Sequence, residues 1–160
     1  MAAAPLRQAG MTRFTSHMAL ALDQARTAAR RGEVPVGAVV VAPDGRVVSA
    51  AGNRTRELSD PTAHAEILAI RDACRAAGSE RLPGHDLWVT LEPCPMCAAA
   101  ISAARIGRLY YGASDMRMGG VEHGARVFDH PQCHHRPQVY DGIDADPARA
   151  LLTGFFQSRR

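Results

Sequence analysis

Three side chains of the types that bind zinc occur in two short segments of the sequence. Residues 60–66 read DPTAHAE and contain His64, and residues 91–97 read LEPCPMC and contain Cys94 and Cys97. One imidazole and two thiolates suit tetrahedral Zn²⁺, and a set of three protein ligands leaves the fourth position open to water. The residues therefore predict a catalytic metal site that holds one Zn²⁺ per subunit, rather than a closed structural site.

Glu66 lies two residues after His64, within reach of a water molecule on the predicted zinc. Side chains two positions apart on a helix point in different directions, so Glu66 is a poor ligand for the same ion. We interpret it as the catalytic group, a proton shuttle that serves the water. A Cys-x-x-Cys pair also occurs in redox proteins, and a thioredoxin-like dithiol is the main alternative. The combination of the two motifs favours the zinc site.

Both motifs are predicted to stand at the beginnings of helices. Asp60 is a favourable N-cap with Pro61 in the first helical position, and apolar residues then recur at helical spacing until Gly78. Cys94 occupies the equivalent cap before Pro95, ahead of a second apolar run. The positive end of a helix dipole favours the thiolate form of cysteine, which is the form that binds a metal.

The remaining segments predict an α/β fold. The predicted elements are an amphipathic helix over residues 15–31, a hairpin with strands at 36–42 and 47–51, strands at 86–91 and 108–112, and a final helix over 147–158. The hairpin is antiparallel, and strands that alternate with helices usually pair in parallel. The sequence thus predicts a three-layer α/β/α sandwich around a mixed sheet of about five strands.

Composition and charge indicate the compartment more clearly than the partner. The chain has 160 residues and a formal net charge of +3, which permits a nucleic-acid partner without requiring one. Its four cysteines form no dense disulfide framework, which favours a reducing, cytoplasmic location. No secretory signal or membrane-spanning run is evident, so no membrane partner is expected. Residues 1–13 are expected to be disordered, and residues 14–160 to form a single zinc-dependent domain.

The two motifs together resemble the signature of the zinc-dependent nucleobase deaminases, an established class that includes the tRNA adenosine deaminases. The resemblance rests on His64-Ala65-Glu66 and on PCPMC at 93–97. It extends to VPVGA at 34–38, GNR at 52–54, VTLEPC at 89–94, RIGR at 105–108 and YGASD at 111–115. These segments are similar to the tRNA-specific adenosine deaminase branch over almost the whole chain from about Phe14 onward.

This resemblance implies a cytidine deaminase-like fold and a deaminase domain over residues 14–160. The implied reaction is hydrolysis of adenosine to inosine at the wobble position, nucleotide 34, of tRNA, by a zinc-activated water with Glu66 as the proton shuttle. Asn53 and Asp115 match positions that contact the substrate in the family, although such residues commonly serve as turn or helix caps. The implied partners are a tRNA anticodon stem-loop and a second copy of the chain in a homodimer.

Basic and aromatic side chains near the predicted site are possible RNA contacts. Close to its carboxyl end the sequence places two aromatic rings beside two arginines, which suits a splayed-out, stacked nucleotide, although paired aromatic residues more often belong to a core. Residues 116–123 read MRMGGVEH and depart from the commonest family pattern. The possible RNA contacts are Arg54, Arg117, Phe155, Phe156, Arg159 and Arg160.

The segment at 130–136 reads HPQCHHR and invites comparison with a second metal site. Adjacent histidines do not easily point toward one ion, and no matching pair of ligands lies nearby in the sequence. We therefore predict that this segment is a loop over the pocket.

Two other functions are compatible with the motifs. A zinc-dependent deaminase of a free base or nucleoside, such as guanine or cytosine, would use the same metal chemistry. A zinc-binding or redox module without hydrolysis would need the ligands but not Glu66. The presence of Glu66 favours hydrolysis over the second alternative.

Overall fold

A five-stranded mixed sheet forms the centre of the computed structural model, which describes residues 13–160. The strands are β1 (Gly37–Val41), β2 (Val47–Gly52), β3 (Asp86–Leu91), β4 (Arg108–Ala113) and β5 (Gln138–Tyr140). Their spatial order is β2-β1-β3-β4-β5, in which β1 is antiparallel to both β2 and β3, whereas β3, β4 and β5 are parallel. The predicted mixed sheet is confirmed.

Helices cover both faces of this sheet. They are α1 (Met18–Arg30), α2 (Ala65–Ala77), α3 (Pro95–Ala103) and α4 (Ala145–Gln157), with a short 3₁₀ helix at Val127–Asp129. Residues of α1 and α4 pack with one face of the sheet in one apolar cluster, and residues of α2 and α3 pack with the other face in a second cluster. The two separate cores establish the predicted three-layer α/β/α arrangement.

A row of aromatic rings crosses the face of the sheet that α1 and α4 cover. Trp88, Tyr110 and Tyr140 are direct neighbours in the registers of β3, β4 and β5. The ring centroids of Trp88 and Tyr110 lie 4.0 Å apart, and those of Tyr110 and Tyr140 lie 4.9 Å apart. Each such stacked pair contributes about 1 kcal/mol beyond the area that it buries. The row therefore ties the short strand β5 to β4 and to β3, the strand that leads to the metal-binding motif.

The close packing of β1 on α1 depends on a glycine. A Cβ atom added to Gly37 would overlap the backbone oxygen of Ala21 and lie 2.6 Å from the backbone nitrogen of Ala25. Gly37→Ala is therefore expected to lower the free energy of unfolding by about 3 kcal/mol, because helix and strand must separate to admit the methyl group. Urea denaturation of the purified variant measures this change.

Gly154→Ala in α4 is the matched control for this substitution. Apart from its chain neighbours and the backbone of its own helix, no described atom lies within 4 Å of a Cβ built at Gly154, so alanine there should be neutral or stabilise the helix by up to about 1 kcal/mol. Equal urea midpoints for Gly37→Ala and the unaltered protein would contradict the packing argument.

Several predicted boundaries need correction. The first helix begins at Met18 rather than at residue 15, and the last spans Ala145–Gln157 rather than 147–158. The fifth strand, Gln138–Tyr140, follows Pro137 and is only three residues long, too short for a hydrophobic pattern to show. The expectation of disorder over residues 1–13 falls, apart from Arg13, outside the described residues. Among residues 13–160, no helix has the length and apolar character needed to cross a bilayer.

Candidate active site

Helix α2 begins later than predicted and with a different N-cap residue. The Asp60 carboxylate accepts hydrogen bonds from the backbone N–H and the hydroxyl of Thr62, at 2.8 and 2.7 Å, and so closes a turn. The prediction that Asp60 caps the helix is therefore wrong, because its carboxylate is used by that turn. The helix begins at Ala65, and His64 is its N-cap residue with extended backbone. The imidazole thus leaves the chain just before the helix and not within its first turn.

Asn53 supplies a hydrogen bond that this helix end would otherwise lack. Its side-chain Oδ1 accepts the backbone N–H of Ala65 at 2.8 Å, and the Asn53 residue is 8% exposed. An amide oxygen on the first N–H group of a helix acts as a cap supplied from another part of the chain. Asn53 therefore does not satisfy its own backbone, as turn residues often do, but holds the metal-binding end of α2 against the end of β2.

The start of α3 agrees with the prediction. Cys94 is the N-cap residue with extended backbone, Pro95 is the first helical residue, and Cys97 follows in the first turn, fully buried. The strand β3 ends at Leu91, so the sheet directs the chain straight into this turn. Both thiols therefore lie beside the N-terminal end of α3.

The imidazole and the two thiols converge on one point. His64 Nδ1 lies 3.6 Å from Cys94 Sγ and 3.4 Å from Cys97 Sγ, and the three potential ligand atoms all lie within 4.8 Å of one another. Tetrahedral zinc, with bonds of about 2.3 Å to sulfur and about 2.0 Å to nitrogen, places such atoms about 3.5 Å apart. The donor set and its spacing therefore fit a zinc ion with one remaining coordination position.

Charge is distributed unequally between the two thiols. Hydrogen bonds from Cys97 and His64 lower the pKa of the Cys94 thiol to about 4, despite its partial burial. The neighbouring Cys94 sulfur and burial raise the pKa of the Cys97 thiol. The hydrogen bond to Cys94 raises the pKa of His64. Cys94 is thus the thiol that more readily takes the thiolate form, and a bound dication would favour deprotonation of the second thiol.

Glu66 lies in the first turn of α2 with its carboxyl group directed toward this cluster. The residue is 4% exposed, and burial raises the pKa of its carboxyl group to about 7. Its pKa also responds to the charges of His64 and Cys94 and to a hydrogen bond with Cys97. A carboxyl group in this position can hold or release a proton near neutral pH, which is the property that general acid–base chemistry requires.

Asp115 is placed in the loop that follows β4. Its Oδ1 accepts the backbone N–H groups of Arg117 and Met118 at 3.0 and 2.9 Å. The side chain therefore acts as a turn cap, which was the ordinary alternative to a substrate contact. Capping occupies Oδ1 and is compatible with a further contact through the other carboxylate oxygen.

Four of the possible RNA contacts come together around one cavity. Arg117, Phe156, Arg159 and Arg160 line a space of about 610 Å³ between α4 and the loop after β4. Phe156 is 51% exposed, and the guanidinium carbon of Arg159 lies 4.0 Å from the ring centroid of Phe155. A wholly buried aromatic pair, the ordinary alternative, is therefore excluded. The surface combines positive charge with accessible aromatic faces.

Arg54 lies apart from that cavity. Its guanidinium group makes two hydrogen bonds of 2.9 Å to the carboxylate of Glu57, so its charge is already paired. Glu33 organises the same segment, since its carboxylate, 1% exposed, accepts the backbone N–H groups of Arg56 and Glu57 at 3.0 and 2.9 Å. Sequence reasoning missed Glu33, although a charged residue just before a buried strand signals a need for such partners.

The histidine-rich segment is attached to the end of α3 and forms no second metal cluster within the described chain. His135 Nε2 lies 2.6 Å from the carbonyl oxygen of Ile106, and the hydroxyl of Ser102 donates to the carbonyl oxygen of His135 at 2.6 Å. His130 Nδ1 accepts the backbone N–H of Gln132. The ring nitrogens of His130 and His135 thus make local contacts that stabilise the loop.

Comparisons with known proteins agree with this geometry. Residues 11–113 match the family model of the cytidine and deoxycytidylate deaminase zinc-binding region. The chain is 59% identical over 150 residues to a tRNA-specific adenosine deaminase of Agrobacterium fabrum, an alignment that covers 94% of this chain and 98% of the relative.

Solved structures provide the same comparison in three dimensions. One, from studies of A-to-I editing by tRNA:A34 deaminases at the wobble position, superimposes with a TM-score of 0.83 at 62% identity and covers 84% of this chain and 97% of its own. A guanine deaminase from Nitrosomonas europaea shares the fold at 23% identity, with a TM-score of 0.74 and coverage of 86% and 81% of the two chains.

Proposed function

Since the chain belongs to the tRNA-specific adenosine deaminases, within the cytidine and deoxycytidylate deaminase family, we propose that it converts adenosine 34 of a tRNA anticodon loop to inosine. The observation that carries this proposal is the convergence of His64, Cys94 and Cys97 with the buried carboxyl group of Glu66 directed toward them. Zinc ligands with an adjacent acid–base group are what hydrolytic deamination requires.

The chemistry divides between the metal and one side chain. His64, Cys94 and Cys97 would hold the zinc, which when bound acts as a Lewis acid and makes water a nucleophile near neutral pH. Glu66 takes the proton of the attacking water as the new C–O bond forms at the ring carbon that carries the amino group. Glu66 passes this proton to the ring nitrogen, then takes the second proton of the former water as the C=O bond forms and gives it to the departing amine as the C–N bond breaks. Adenosine and water thus give inosine and ammonia.

Substrate recognition is assigned to the loops on either side of the cluster. An anticodon loop presents an unpaired base that can enter the pocket without opening a duplex. We assign Asn53 and Asp115 to contacts with the substrate nucleotides, by their match to the family pattern. The position of Asn53 supports its assignment, since it follows the end of β2 and is bonded to the first residue of the helix that carries Glu66.

Mass analysis of the wobble nucleoside tests the proposed function directly. Purified protein loaded with zinc should convert adenosine 34 to inosine in an anticodon stem-loop RNA, with an increase of about one mass unit as an amino group is replaced by oxygen. Turnover of free guanine or cytosine with no change in the RNA would instead assign the protein to the deaminases of free bases.

The cavity beside α4 leads to a prediction about salt. If Arg117, Arg159 and Arg160 contact phosphates, RNA affinity should fall steeply with ionic strength, and each lost contact should reduce the log–log slope by about 0.7. Arg159→Ala and Arg160→Ala are therefore expected to weaken binding and flatten the slope, as measured by fluorescence anisotropy from low to physiological salt.

Arg26→Ala provides the control for this measurement. Arg26 lies on α1 and is paired with Asp23, so its removal should leave the slope unchanged. A slope that is equally shallow for the unaltered protein and the two α4 variants would exclude phosphate contacts at this surface.

We also propose that the protein is a homodimer that buries the outer face of α3. The helix contains no charged residue, yet Pro95, Ala99 and Ala103 are exposed on one side of it beside an apolar cavity of about 610 Å³. Helices that are apolar all round are normally buried.

Ala103→Arg should therefore convert a dimer into monomers in light scattering, whereas Ala76→Arg on the exposed side of α2 should not. A monomeric unaltered protein at micromolar concentration would refute this assembly.

We propose a single deaminase domain over residues 14–160, with one zinc ion per subunit and tRNA as the partner. All four cysteines are free, which is appropriate to the reducing environment of the cytoplasm, where we place the reaction.

A further inference from the structure

A buried carboxylate between β3 and the metal-binding turn has no place in the mechanism described above. Glu92 follows Leu91, the last residue of β3, and precedes Pro93 and Cys94. The Glu92 residue is 2% exposed. A charge at such a depth is stable only where hydrogen bonds replace the water that it has lost.

The partners of this carboxylate all belong to the loop after β4. Its Oε2 accepts the backbone N–H of Asp115 at 2.9 Å and lies 2.7 Å from Nδ1 of the His123 ring. Its Oε1 accepts the backbone N–H groups of Glu122 and His123 at 2.9 Å each, and that of Val121 at 3.3 Å. The loop of residues 115–123 is therefore folded around a single anionic group that contacts both of its ends.

The same loop is also packed directly on the turn that carries the first thiol. The backbone N–H of Gly120 donates to the carbonyl oxygen of Pro93 at 2.8 Å. A Cβ atom at Gly120 would lie 2.5 Å from Pro95 N, and one at Gly119 would lie 2.8 Å from the carboxyl carbon of Glu92. Only glycine permits these approaches without displacement of the backbone. The loop and the Cys94 turn thus pack closely against each other.

From these contacts we propose that Glu92 is a positioning residue, which fixes the loop of residues 115–123 and thereby sets the place of Asp115 relative to the metal-binding turn. The inference rests on the proposed function, in which Asp115 contacts the RNA. Glu92 is not one of the residues of the metal cluster, and both of its carboxylate oxygens are bonded to the loop. The Glu92 carboxylate fixes the position of the backbone N–H of Asp115. It therefore also fixes the position of the Asp115 side chain.

A double-mutant cycle tests this role, because only residues that act together show a coupling energy. RNA affinity is measured by anisotropy in a Glu66→Gln background, which prevents turnover, with zinc-loaded protein and an anticodon stem-loop. Asp115→Asn alone should weaken binding about tenfold, as expected for loss of a charged hydrogen bond. In the presence of Glu92→Gln the same change should weaken binding less than about twofold, since the loop no longer holds residue 115 in place.

Arg54→Ala supplies the control cycle. Its guanidinium is bonded to Glu57 on a surface apart from the loop, so its effect should be the same with Glu92 or with glutamine at that position. Equal effects of Asp115→Asn in both backgrounds would overturn the positioning role, while an unaltered protein that deaminates RNA would leave the proposed function standing. Absence of RNA binding by the parent protein would overturn the proposed function instead.

Two further measurements keep the inference open to refutation if these variants behave poorly. His123→Ala removes one donor near Oε2 and leaves the others, so it should show the same coupling with Asp115→Asn to a smaller extent. Amide hydrogen exchange reports on the loop without RNA. In the Glu92→Gln or His123→Ala protein, exchange at Asp115, Glu122 and His123 should accelerate at least about tenfold. Unchanged exchange would show that the carboxylate does not hold the loop.

Discussion

Glu66→Gln is expected to lower the rate of adenosine deamination about 10³-fold while zinc stays bound. Glutamine keeps the size of the side chain but cannot accept and return protons, and acid–base catalysis of this kind contributes about 10²- to 10⁴-fold. The buried position of Glu66 near the thiols leaves no room for bulk water to replace it efficiently. Single-turnover measurement of inosine formation, together with zinc analysis of the same sample, checks both parts of the expectation.

Glu80→Gln is the matched control, because Glu80 is exposed beyond the end of α2 and takes no part in the cluster. It should retain full activity. If Glu66→Gln were also fully active, the hydrolytic proposal would be refuted, and the interpretation as a zinc-binding or redox module would become the better one.

Cys97→Ser is expected to abolish zinc retention and with it all detectable deamination. A serine hydroxyl stays protonated at neutral pH, whereas the fully buried sulfur of Cys97 lies 3.4 Å from His64 Nδ1 in a geometry suited to a metal. Zinc that binds only the folded protein stabilises it by about 2.7 kcal/mol when the free ion exceeds its dissociation constant a hundredfold. The variant should therefore lose a comparable amount of stability, as measured by denaturation in the presence of zinc.

Cys74→Ser separates this effect from the general loss of a thiol. Cys74 lies near the C-terminal end of α2, partly buried against the core and outside the metal cluster at the other end of that helix, so its replacement should preserve one zinc ion per subunit. Equal zinc content in Cys97→Ser and Cys74→Ser would contradict the assignment of the ligands.

The residues of the metal cluster could be predicted from the sequence because their chemistry is local. The Cys94-Pro95 start of α3 depends on a cap and a proline that are adjacent in the chain, and the structure has both as predicted. The Asp60-Pro61 start of α2 follows the same pattern but fails, since Asp60 bonds to Thr62. Where a sequence pattern fits two local structures equally well, contacts with the rest of the fold determine which of them forms.

Long-range partners were the part that the sequence could not supply. In the sequence, Glu92 is recognisable only as part of a motif, because the groups that hydrogen-bond to it belong to residues 23 to 31 positions later. The cap on α2 is likewise contributed by Asn53, which lies 12 residues before Ala65. No periodicity or spacing rule connects such groups. A charged side chain at the end of an apolar strand was the available signal, because its burial demands partners from elsewhere.

The aromatic row across the sheet makes this protein convenient for spectroscopy. Trp88 is the single tryptophan of the chain, it is 1% exposed, and it lies on the face of the sheet away from α2 and α3. Its emission should shift to longer wavelength when that face unpacks and admits solvent. Chelation that removes the metal without moving the emission maximum would therefore distinguish an emptied centre from an unfolded chain, in one cuvette and without an added dye.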